Sequence, residues 1–390
     1  MKKFLAIFLA LIFALSMVAC AQQTPAEEAP AEEAPAEEAP AEETPAEEAE
    51  EAPAEEAPAD GTYEIALVTD IGNIDDKSFN QGSWEGVVEY AEANGKTYNY
   101  YRPSEDSDEA RIESIETAID KGAKVVVMPG YLFGPAVQTV QAEYPDVMFL
   151  GIDMGLGDVP EPTANVSLIT YQEEQAGYLA GYAAVQDGYR KLGFLGGIDV
   201  PAVIRYGYGF LQGANAAAVE LGVVDEVSVK YWYSGSFTPT DEIKTKMSGW
   251  YTEGTEVVFS CGGGIYLSAV GAAQEANAKV IGVDVDQSAE SELIITSAMK
   301  ELKNSVVMAL TALHDNGGTW PAEYAGTEQK LGAAQDCVGL PTAEGSWRLT
   351  TYTVEQYNEL FAKVKSGEIT ISNDTENAPA VEIAVEYQND

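Results

Sequence analysis

Short apolar runs alternate with longer amphipathic stretches along the chain from Tyr63 onward. Residues 63–69 form the first such run, with the length and composition of a buried strand. In residues 78–94, Trp84 and Val87 lie on one helical face and Gly95 follows the last residue, which predicts a helix that ends there. The alternation continues to about residue 300 and is typical of parallel-sheet α/β units, so we expect an α/β protein.

The same pattern predicts most of the remaining sheet. Further strands are expected at residues 125–128, 147–152, 192–195, 227–232, 257–259, 280–283 and 293–296, with helices between most of them, for instance at 107–121 and 171–185. Several of these strands end in a polar or glycine-rich turn. Because open α/β sheets bind ligands beyond the carboxyl ends of their strands, we expect the functional residues in these turns.

The N-terminal residues have the pattern of an export signal. Lys2 and Lys3 precede an apolar run over residues 4–15, and small residues follow ahead of Cys20. Twelve apolar residues are too few to span a bilayer as a helix. The segment Ser-Met-Val-Ala-Cys that ends at Cys20 resembles a bacterial lipobox, which predicts a signal peptide over residues 1–19 and a diacylglycerol group on Cys20. A plain signal peptide with an incidental cysteine is the alternative.

A low-complexity segment occupies residues 20–60. It repeats Ala-Pro-Ala-Glu-Glu with small variations and contains no aromatic residue. Such a segment buries too little apolar surface to offset its ordering entropy, so we expect a disordered, extended tether after the lipidated cysteine. A repeat without any length requirement would have the same composition.

Composition excludes several classes of function. The 390 residues contain 21 Lys and Arg against 64 Asp and Glu, a formal net charge of −43, which argues against nucleic acid as a partner. The only histidine, His314, excludes sites that need several imidazoles, and we expect it on a helix surface or at a helix end. The length beyond the tether exceeds what one hydrophobic core usually serves, so two lobes are expected.

No metal site or cofactor site is predicted. The one Gly-Lys-Thr tripeptide, at residues 95–97, lacks the glycine that a phosphate-binding loop needs five positions before Gly95, and the acidic stretch at residues 70–76 lacks the glycine and glutamate offsets of a calcium loop. Cys261 and Cys337 are expected to be free, inert thiols. Export leaves a disulfide between them chemically possible.

One string is specific enough to indicate a family. Residues 68–86 read Val-Thr-Asp-Ile-Gly-Asn-Ile-Asp-Asp-Lys-Ser-Phe-Asn-Gln-Gly-Ser-Trp-Glu-Gly, and Gly-Ile-Asp at 151–153, Gly-Gly-Gly at 262–264, Gly-Val-Asp-Val-Asp-Gln at 282–287 and Thr-Ser-Ala-Met-Lys at 296–300 follow in order. Together they resemble the basic membrane protein family of bacterial lipoproteins, also called the purine nucleoside receptor family. The resemblance spans roughly residues 61–340. Members of this family resemble substrate-binding proteins of ABC transporters.

The resemblance implies a fold. It is the two-lobed type I periplasmic-binding-protein fold, in which each lobe is a parallel sheet flanked by helices and the chain crosses between the lobes three times. We place the N-terminal lobe at residues 61–167 and 287–319, and the C-terminal lobe at 168–286 and 320–390. The lobes would close on a ligand at the hinge.

Two aromatic residues are candidates for stacking on a flat ligand. Phe79 follows a polar turn at a helix start, where its ring would point beyond a strand end. Tyr206 stands where the family pattern usually has phenylalanine after an arginine, and its hydroxyl would alter the pocket. Packing of the helix entry is the alternative for Phe79, and core packing is the alternative for Tyr206.

Polar candidates follow the strand ends. Asp70 and Asp153 each close an apolar run, where a carboxylate accepts hydrogen bonds from a purine N–H or a ribose hydroxyl. Helix capping is the alternative for Asp70. By the resemblance, both belong to the ligand shell, with Asp153 on the side of the base.

A second pair of polar candidates would hold the sugar. Asp284 would accept a hydrogen bond from a ribose hydroxyl and Lys300 would donate one, unless the two form a purely structural salt bridge. Asn80 and Gly264 are expected as secondary contacts, through an amide and a backbone N–H.

The function implied is capture without catalysis. We expect a monomeric, lipid-anchored protein on the extracytoplasmic face of the cell membrane that binds nucleosides, purine nucleosides above all, and delivers them to an ABC permease. The alternative is a similar clamp for a sugar or another small polar ligand, or a sensing lipoprotein without a permease. An enzyme that cleaves nucleosides has only the acidic stretch at residues 70–76 in its favour.

Overall fold

The computed structural model describes residues 64–70 and 72–388. The predicted signal peptide, Cys20 and the tether lie outside these residues. The strands are β1 (Ile65–Val68), β2 (Tyr98–Tyr101), β3 (Val125–Pro129), β4 (Met148–Ile152), β5 (Val166–Tyr171), β6 (Lys191–Gly196), β7 (Ser228–Tyr233), β8 (Val257–Cys261), β9 (Lys279–Asp284), β10 (Ile294–Lys300), β11 (Thr327–Leu331), β12 (Val338–Gly339) and β13 (Ala384–Tyr387). The α-helices are α1 (Phe79–Asn94), α2 (Asp108–Asp120), α3 (Gly134–Glu143), α4 (Glu173–Gln186), α5 (Pro201–Leu221), α6 (Asp241–Thr252), α7 (Tyr266–Ala276), α8 (Leu302–Asp315) and α9 (Val354–Lys365).

The strands form two sheets, one in each lobe. The order is β11-β5-β4-β3-β1-β2 in the first sheet and β12-β10-β9-β8-β6-β7-β13 in the second. Every ladder is parallel except the one between β10 and β12, which is antiparallel. The predicted fold class, two parallel sheets flanked by helices, is confirmed.

The central strands form because their side chains are apolar on both faces. All five residues of β3 are buried, as are those of β4 and β8, as expected for parallel strands covered by helices on both sides. Helix α1 ends at Gly95, whose φ of 62° is left-handed and whose N–H donates to the carbonyl of Glu92. This is the predicted glycine stop.

The lobe boundaries differ from the predicted ones at two of the three crossings. The first crossing follows the end of β5 at Tyr171. Residues 287–319 were assigned to the first lobe, but β10 pairs with β9 in the second sheet, so the chain crosses at Glu301. The polar residues after Asp284 form a turn that returns the chain to the same sheet.

The third crossing also lies further along the chain. Residues from 320 onward were assigned to the second lobe, whereas β11 pairs with β5 in the first sheet. The crossing therefore comes between Leu331 and Val338. Strand β11 escaped prediction because Thr-Glu-Gln-Lys-Leu carries little apolar signal.

Helices α4 and α5 touch along their backbones and hold part of the site. A Cβ on Gly177 of α4 would lie 2.1 Å from the carbonyl oxygen of Tyr206, and one on Gly209 of α5 would lie 2.1 Å from that of Glu174. Only glycine permits this approach. The contact fixes the first turn of α4 against the first turns of α5.

Two simpler expectations have clear outcomes. Cys261 and Cys337 are buried free thiols, as predicted. His314 is exposed in the last turn of α8, also as predicted. Across residues 64–70 and 72–388, no helix has the length and apolar character needed to cross a membrane.

Candidate functional site

A cavity of about 670 Å³ opens at the carboxyl ends of the strands. It is lined from both lobes, by the turns after β1, β3 and β4 and by those after β6, β8 and β9. The eight predicted ligand-binding residues all line it: Asp70, Phe79, Asn80, Asp153, Tyr206, Gly264, Asp284 and Lys300. The structure thus brings together side chains that are as far as 230 positions apart in the sequence.

Lys300, the last residue of β10, lies in the wall of this cavity. Its side chain is 3% exposed. Its Nζ forms an ion pair with Asp153 Oδ2 and lies 3.6 Å from both Glu173 Oε1 and Asp284 Oδ1. We call these four residues the Lys300 cluster. The cluster connects the first lobe, through Asp153, with the second lobe, through Asp284.

Glu173 connects the Lys300 cluster to a second cation. Its side chain is fully buried, and its Oε2 accepts a hydrogen bond from Arg205 Nε at 2.7 Å. Burial favours the neutral forms of Lys300 and Arg205, but the surrounding carboxylates outweigh it and raise the pKa of both groups. Both side chains therefore remain cationic at neutral pH.

Asp153 has one engaged and one open carboxylate oxygen. It adopts a left-handed backbone conformation with φ of 53° directly after β4. Its Oδ1 has no hydrogen-bond partner within the described part of the chain. Burial raises the pKa of Asp153 to about 7, against the attraction of Lys300 and with further repulsion from Glu173. A ligand N–H or O–H would satisfy the open oxygen.

Asp284 closes β9 in the same conformation, with φ of 65°. Its Oδ2 accepts a hydrogen bond from Ser78 Oγ at 2.6 Å, across the cleft from the first lobe. Gln287 makes a second contact between the lobes, from its Nε2 to the carbonyl of Lys77 at 3.0 Å. These contacts hold the start of α1 against the end of β9.

Asp70 is organised by its own lobe. Its Oδ1 accepts hydrogen bonds from the N–H of Gly72 at 2.6 Å and from Asn80 Nδ2 at 2.8 Å. Burial raises its pKa, although these donors lower it. The predicted alternative of helix capping belongs instead to Asp76, whose carboxylate accepts from the N–H groups of Ser78, Asn80 and Gln81 at the start of α1.

The predicted secondary contacts are engaged inside the protein. Asn80 donates to both Asp70 and Asp76, and its Oδ1 accepts from the N–H of Asp70 at 3.3 Å. The N–H of Gly264 donates to the carbonyl of Phe237 at 3.0 Å. Both residues line the cavity, but these polar groups already have partners. In this arrangement they shape the cavity wall, and their expected role as donors to the ligand stays a prediction.

The two predicted aromatic residues face the same ammonium group. Lys300 Nζ lies 4.8 Å from the ring centroid of Phe79 and 5.7 Å from that of Tyr206. Phe79 is partly buried at the first position of α1. Tyr206 is 2% exposed and packs edge-on against Phe259, with centroids 5.9 Å apart. Tyr206 therefore lines the cavity and also packs in the core, so stacking on a ligand and core packing do not exclude each other for this residue.

Several other residues in or beside the cavity wall have no direct signal in the sequence. Glu173 and Arg205 were not predicted as site residues, because a buried ion pair between two helix starts depends on the α4–α5 contact. Phe237 lies in an irregular segment and covers Gly197 and Gly262. An arginine within an aromatic and glycine-rich run, in a chain poor in cations, is the one hint that the sequence offered.

The cavity wall is acidic overall. Its carboxylates are Asp70, Asp75, Asp76, Asp153, Asp158, Asp284 and Glu328, and its cations are Arg205, Lys300 and Lys330. No group of three or more His, Cys, Asp or Glu side chains suited to a metal ion occurs among the residues that the structure describes.

The chain matches one family over most of its length. The family described as "ABC transporter substrate-binding protein PnrA-like" matches residues 64–375. This range contains both sheets as far as β12 and every residue that lines the cavity.

Relatives and solved structures agree with this match. The ABC transporter nucleoside-binding protein BmpA of Lactococcus lactis is 28% identical over 260 residues, which cover 61% of this chain and 71% of the relative. Basic membrane protein A1 of Borrelia garinii is 29% identical over 247 residues, covering 62% and 70%. A solute-binding protein of an ABC transporter system from Aeropyrum pernix has the same fold, with a TM-score of 0.67, 22% identity and coverage of 80% and 93%.

Proposed function

Because the chain belongs to the family of PnrA-like substrate-binding proteins of ABC transporters, we propose that its cleft binds purine nucleosides. The protein would pass them to a membrane permease, while a lipid on Cys20 holds it at the extracytoplasmic face of the membrane. The name of the Lactococcus lactis relative, a nucleoside-binding protein, supports this choice of ligand.

The observation that carries the proposal is the arrangement around Lys300. Phe79 and Tyr206 offer aromatic surface to a flat base, and stacking on such surface is worth about 1–3 kcal/mol per base in nucleic-acid complexes. Asp284 and Lys300, 3.6 Å apart, offer an acceptor and a donor to neighbouring ribose hydroxyls. A nucleoside combines these two features in one small molecule.

The open oxygen of Asp153 adds a polar contact for the base. This atom is buried and lacks a partner among residues 64–70 and 72–388. A purine N–H placed there would remove the unfavourable burial of an unpaired acceptor. Asp153 is thus proposed to read the base, in the role that the family resemblance implies.

The charge of the wall favours nucleosides over nucleotides. Seven carboxylates and three cations line the cavity, and Lys300 and Arg205 are already paired with carboxylates. A phosphate group would meet net repulsion there. We therefore expect 5′-monophosphates to bind much more weakly than the corresponding nucleosides.

The proposal is tested by calorimetric titration of the purified protein, unfolded and refolded first to remove any ligand carried through purification. The panel is adenosine, guanosine, inosine, uridine, adenine and ribose, with guanosine 5′-monophosphate as the charged analogue. We expect tight binding of purine nucleosides and weak binding of adenine, of ribose and of the monophosphate. Failure of every nucleoside to bind, with a bound sugar instead, would contradict the proposal.

Asp284→Ala tests the assignment of the ribose contacts. Removing the carboxylate deprives a ribose hydroxyl of its acceptor and Ser78 of its partner, so the affinity for purine ribosides should fall by more than tenfold. Asp286→Ala, two residues further along, is the matched control, because Asp286 does not line the cavity. Equal affinities of wild type and Asp284→Ala would remove Asp284 from the site.

A further inference from the structure

Two buried tyrosines lie beside the same ammonium group but differ in how their hydroxyls are satisfied. The ring centroids of Tyr171 and Tyr206 are 5.4 and 5.7 Å from Lys300 Nζ, and both side chains are 2% exposed. The Tyr171 hydroxyl is hydrogen bonded to Ser305 Oγ. The Tyr206 hydroxyl has no partner in the part of the chain that the structure describes.

Packing does not account for the Tyr206 hydroxyl. The ring fills space between the cavity and Phe259, and a phenylalanine would fill the same space. A buried hydroxyl without a partner is unfavourable, because it gives up hydrogen bonds to water and receives none in return. Tyr206 lines the cavity, whereas Tyr171 does not. The hydroxyl without a partner therefore belongs to a residue of the cavity wall.

The surroundings of this hydroxyl keep it a donor. Burial raises the pKa of Tyr206 well above its ordinary value, and the carboxylates of Asp284 and Glu173 raise it further. Among these neighbours, Asp284 Oδ2 already accepts a hydrogen bond from Ser78 and Glu173 Oε2 accepts one from Arg205. Glu173 Oε1 lies 3.6 Å from Lys300 Nζ and accepts no hydrogen bond in the described part of the chain. A neutral oxygen of a ligand held at Asp284 and Lys300 would be a partner for the Tyr206 hydroxyl.

We propose that the Tyr206 hydroxyl donates a hydrogen bond to a ribose hydroxyl of the bound nucleoside and thereby selects ribosides over deoxyribosides. The inference rests on the proposed function, because it takes the ribose to lie at Asp284 and Lys300. It adds a third contact to the sugar, from the second lobe. A ligand without that hydroxyl leaves Tyr206 buried and unpaired, as in the free protein.

The test compares ligand pairs between wild type and Tyr206→Phe. Guanosine, 2′-deoxyguanosine and 3′-deoxyguanosine are titrated into the refolded protein by calorimetry. We expect Tyr206→Phe to bind guanosine about tenfold more weakly. For at least one of the two deoxy analogues, the preference for guanosine should fall at least fivefold in the variant. Unchanged preferences over both analogues would overturn the inference.

Tyr171→Phe is the matched control, because it removes a hydroxyl that Ser305 already satisfies. It should keep the wild-type preference for ribosides and lower the melting temperature of the ligand-free protein. Tyr206→Phe should leave that melting temperature unchanged or raise it, because it removes an unpaired buried group. A lower melting temperature in Tyr206→Phe together with wild-type preferences would make Tyr206 a packing residue.

The role of the Tyr206 hydroxyl and the proposed function can be contradicted separately. Wild-type protein that binds guanosine while Tyr206→Phe behaves identically overturns only the role of the hydroxyl. Wild-type protein that binds no nucleoside overturns the proposed function and the role of Tyr206 together.

Discussion

Asp70 and Asp153 occupy equivalent places in the first sheet and have different partners. Each directly follows or nearly follows a buried parallel strand, lines the cavity and uses one carboxylate oxygen inside the protein. The partners of Asp70 are neutral donors from its own lobe, Gly72 and Asn80. The partner of Asp153 is the Lys300 ammonium, which comes from a strand of the second sheet.

The difference separates local from interlobe organisation. The Asp70 interactions lie within ten residues and shape the turn before α1. The Asp153 interaction spans 147 residues and holds a charge between the lobes. An identical pattern in the sequence, an aspartate after an apolar strand, thus leads to two roles, and the tertiary position of one lysine decides between them.

Removal of the shared cation should have the largest effect. Lys300→Met leaves Asp153, Glu173 and Asp284 without their common partner, and breaking a buried ion pair in this way costs about 3–5 kcal/mol of unfolding free energy. Denaturant titration measures this loss of unfolding free energy. Lys303→Met is the matched control, because the exposed pair of Lys303 and Glu89 should contribute less than about 1 kcal/mol. Equal losses of unfolding free energy in Lys300→Met and Lys303→Met would contradict the proposed role of Lys300 as the shared partner of three carboxylates.

The pH dependence of stability should depend on Asp153. Its pKa is raised to about 7 in the folded protein from an ordinary value of 3.8, so the folded state holds a proton that the unfolded state has released between these values. The contribution of this group to stability is present below pH 4 and is lost as the pH rises to 7, by at most about 1.4 kcal/mol per unit.

Asp153→Asn should flatten that fall. Denaturant titrations at several pH values between 4 and 8 compare the slopes of wild type and variant. Asp76 and Glu174, whose pKa values burial raises to about 6 and about 7, keep part of the fall in both proteins. Identical slopes would show that Asp153 titrates as it does in the unfolded chain.

Disruption of the local Asp70 interactions should have the smallest effect. Asn80→Ala removes the amide donor to Asp70 and to Asp76, and we expect a loss of about 1–2 kcal/mol of unfolding free energy because the donor is neutral. Asn94→Ala at the exposed end of the same helix should cost about 0.5 kcal/mol or less. If Asn80→Ala lost as much unfolding free energy as Lys300→Met, the local contacts of Asp70 would be as important as the interlobe contact of Asp153, which would contradict the proposed difference.

The strands that the sequence failed to predict are mostly edge strands. β2 and β11 are the edges of the first sheet, and β12 and β13 are those of the second. An edge strand packs on fewer neighbours, so it tolerates polar residues such as those of Thr-Glu-Gln-Lys-Leu in β11 and loses the apolar signal. The buried central strands that carry the site kept that signal, with β5 as the exception.

The lobe boundaries could not be predicted correctly because β11, an edge strand of the first sheet, had not been recognised in the sequence. Without β11, the third crossing could not be located, and a polar turn after Asp284 was mistaken for the second crossing. The positions of the site residues were predictable because the ends of parallel strands meet at one edge of a sheet. The ion pair between Glu173 and Arg205 was not predictable, because it depends on the close contact between α4 and α5.

We propose that one buried ammonium and its carboxylates recognise the ribose of a nucleoside while aromatic rings hold the base. A crystal structure of the refolded protein with guanosine tests it most directly. We expect ribose hydroxyls within about 3 Å of the Asp284 carboxylate and of Lys300 Nζ, with the base against Phe79. A nucleoside bound in the reverse orientation, with its base at Asp284, or bound outside this cavity would contradict it.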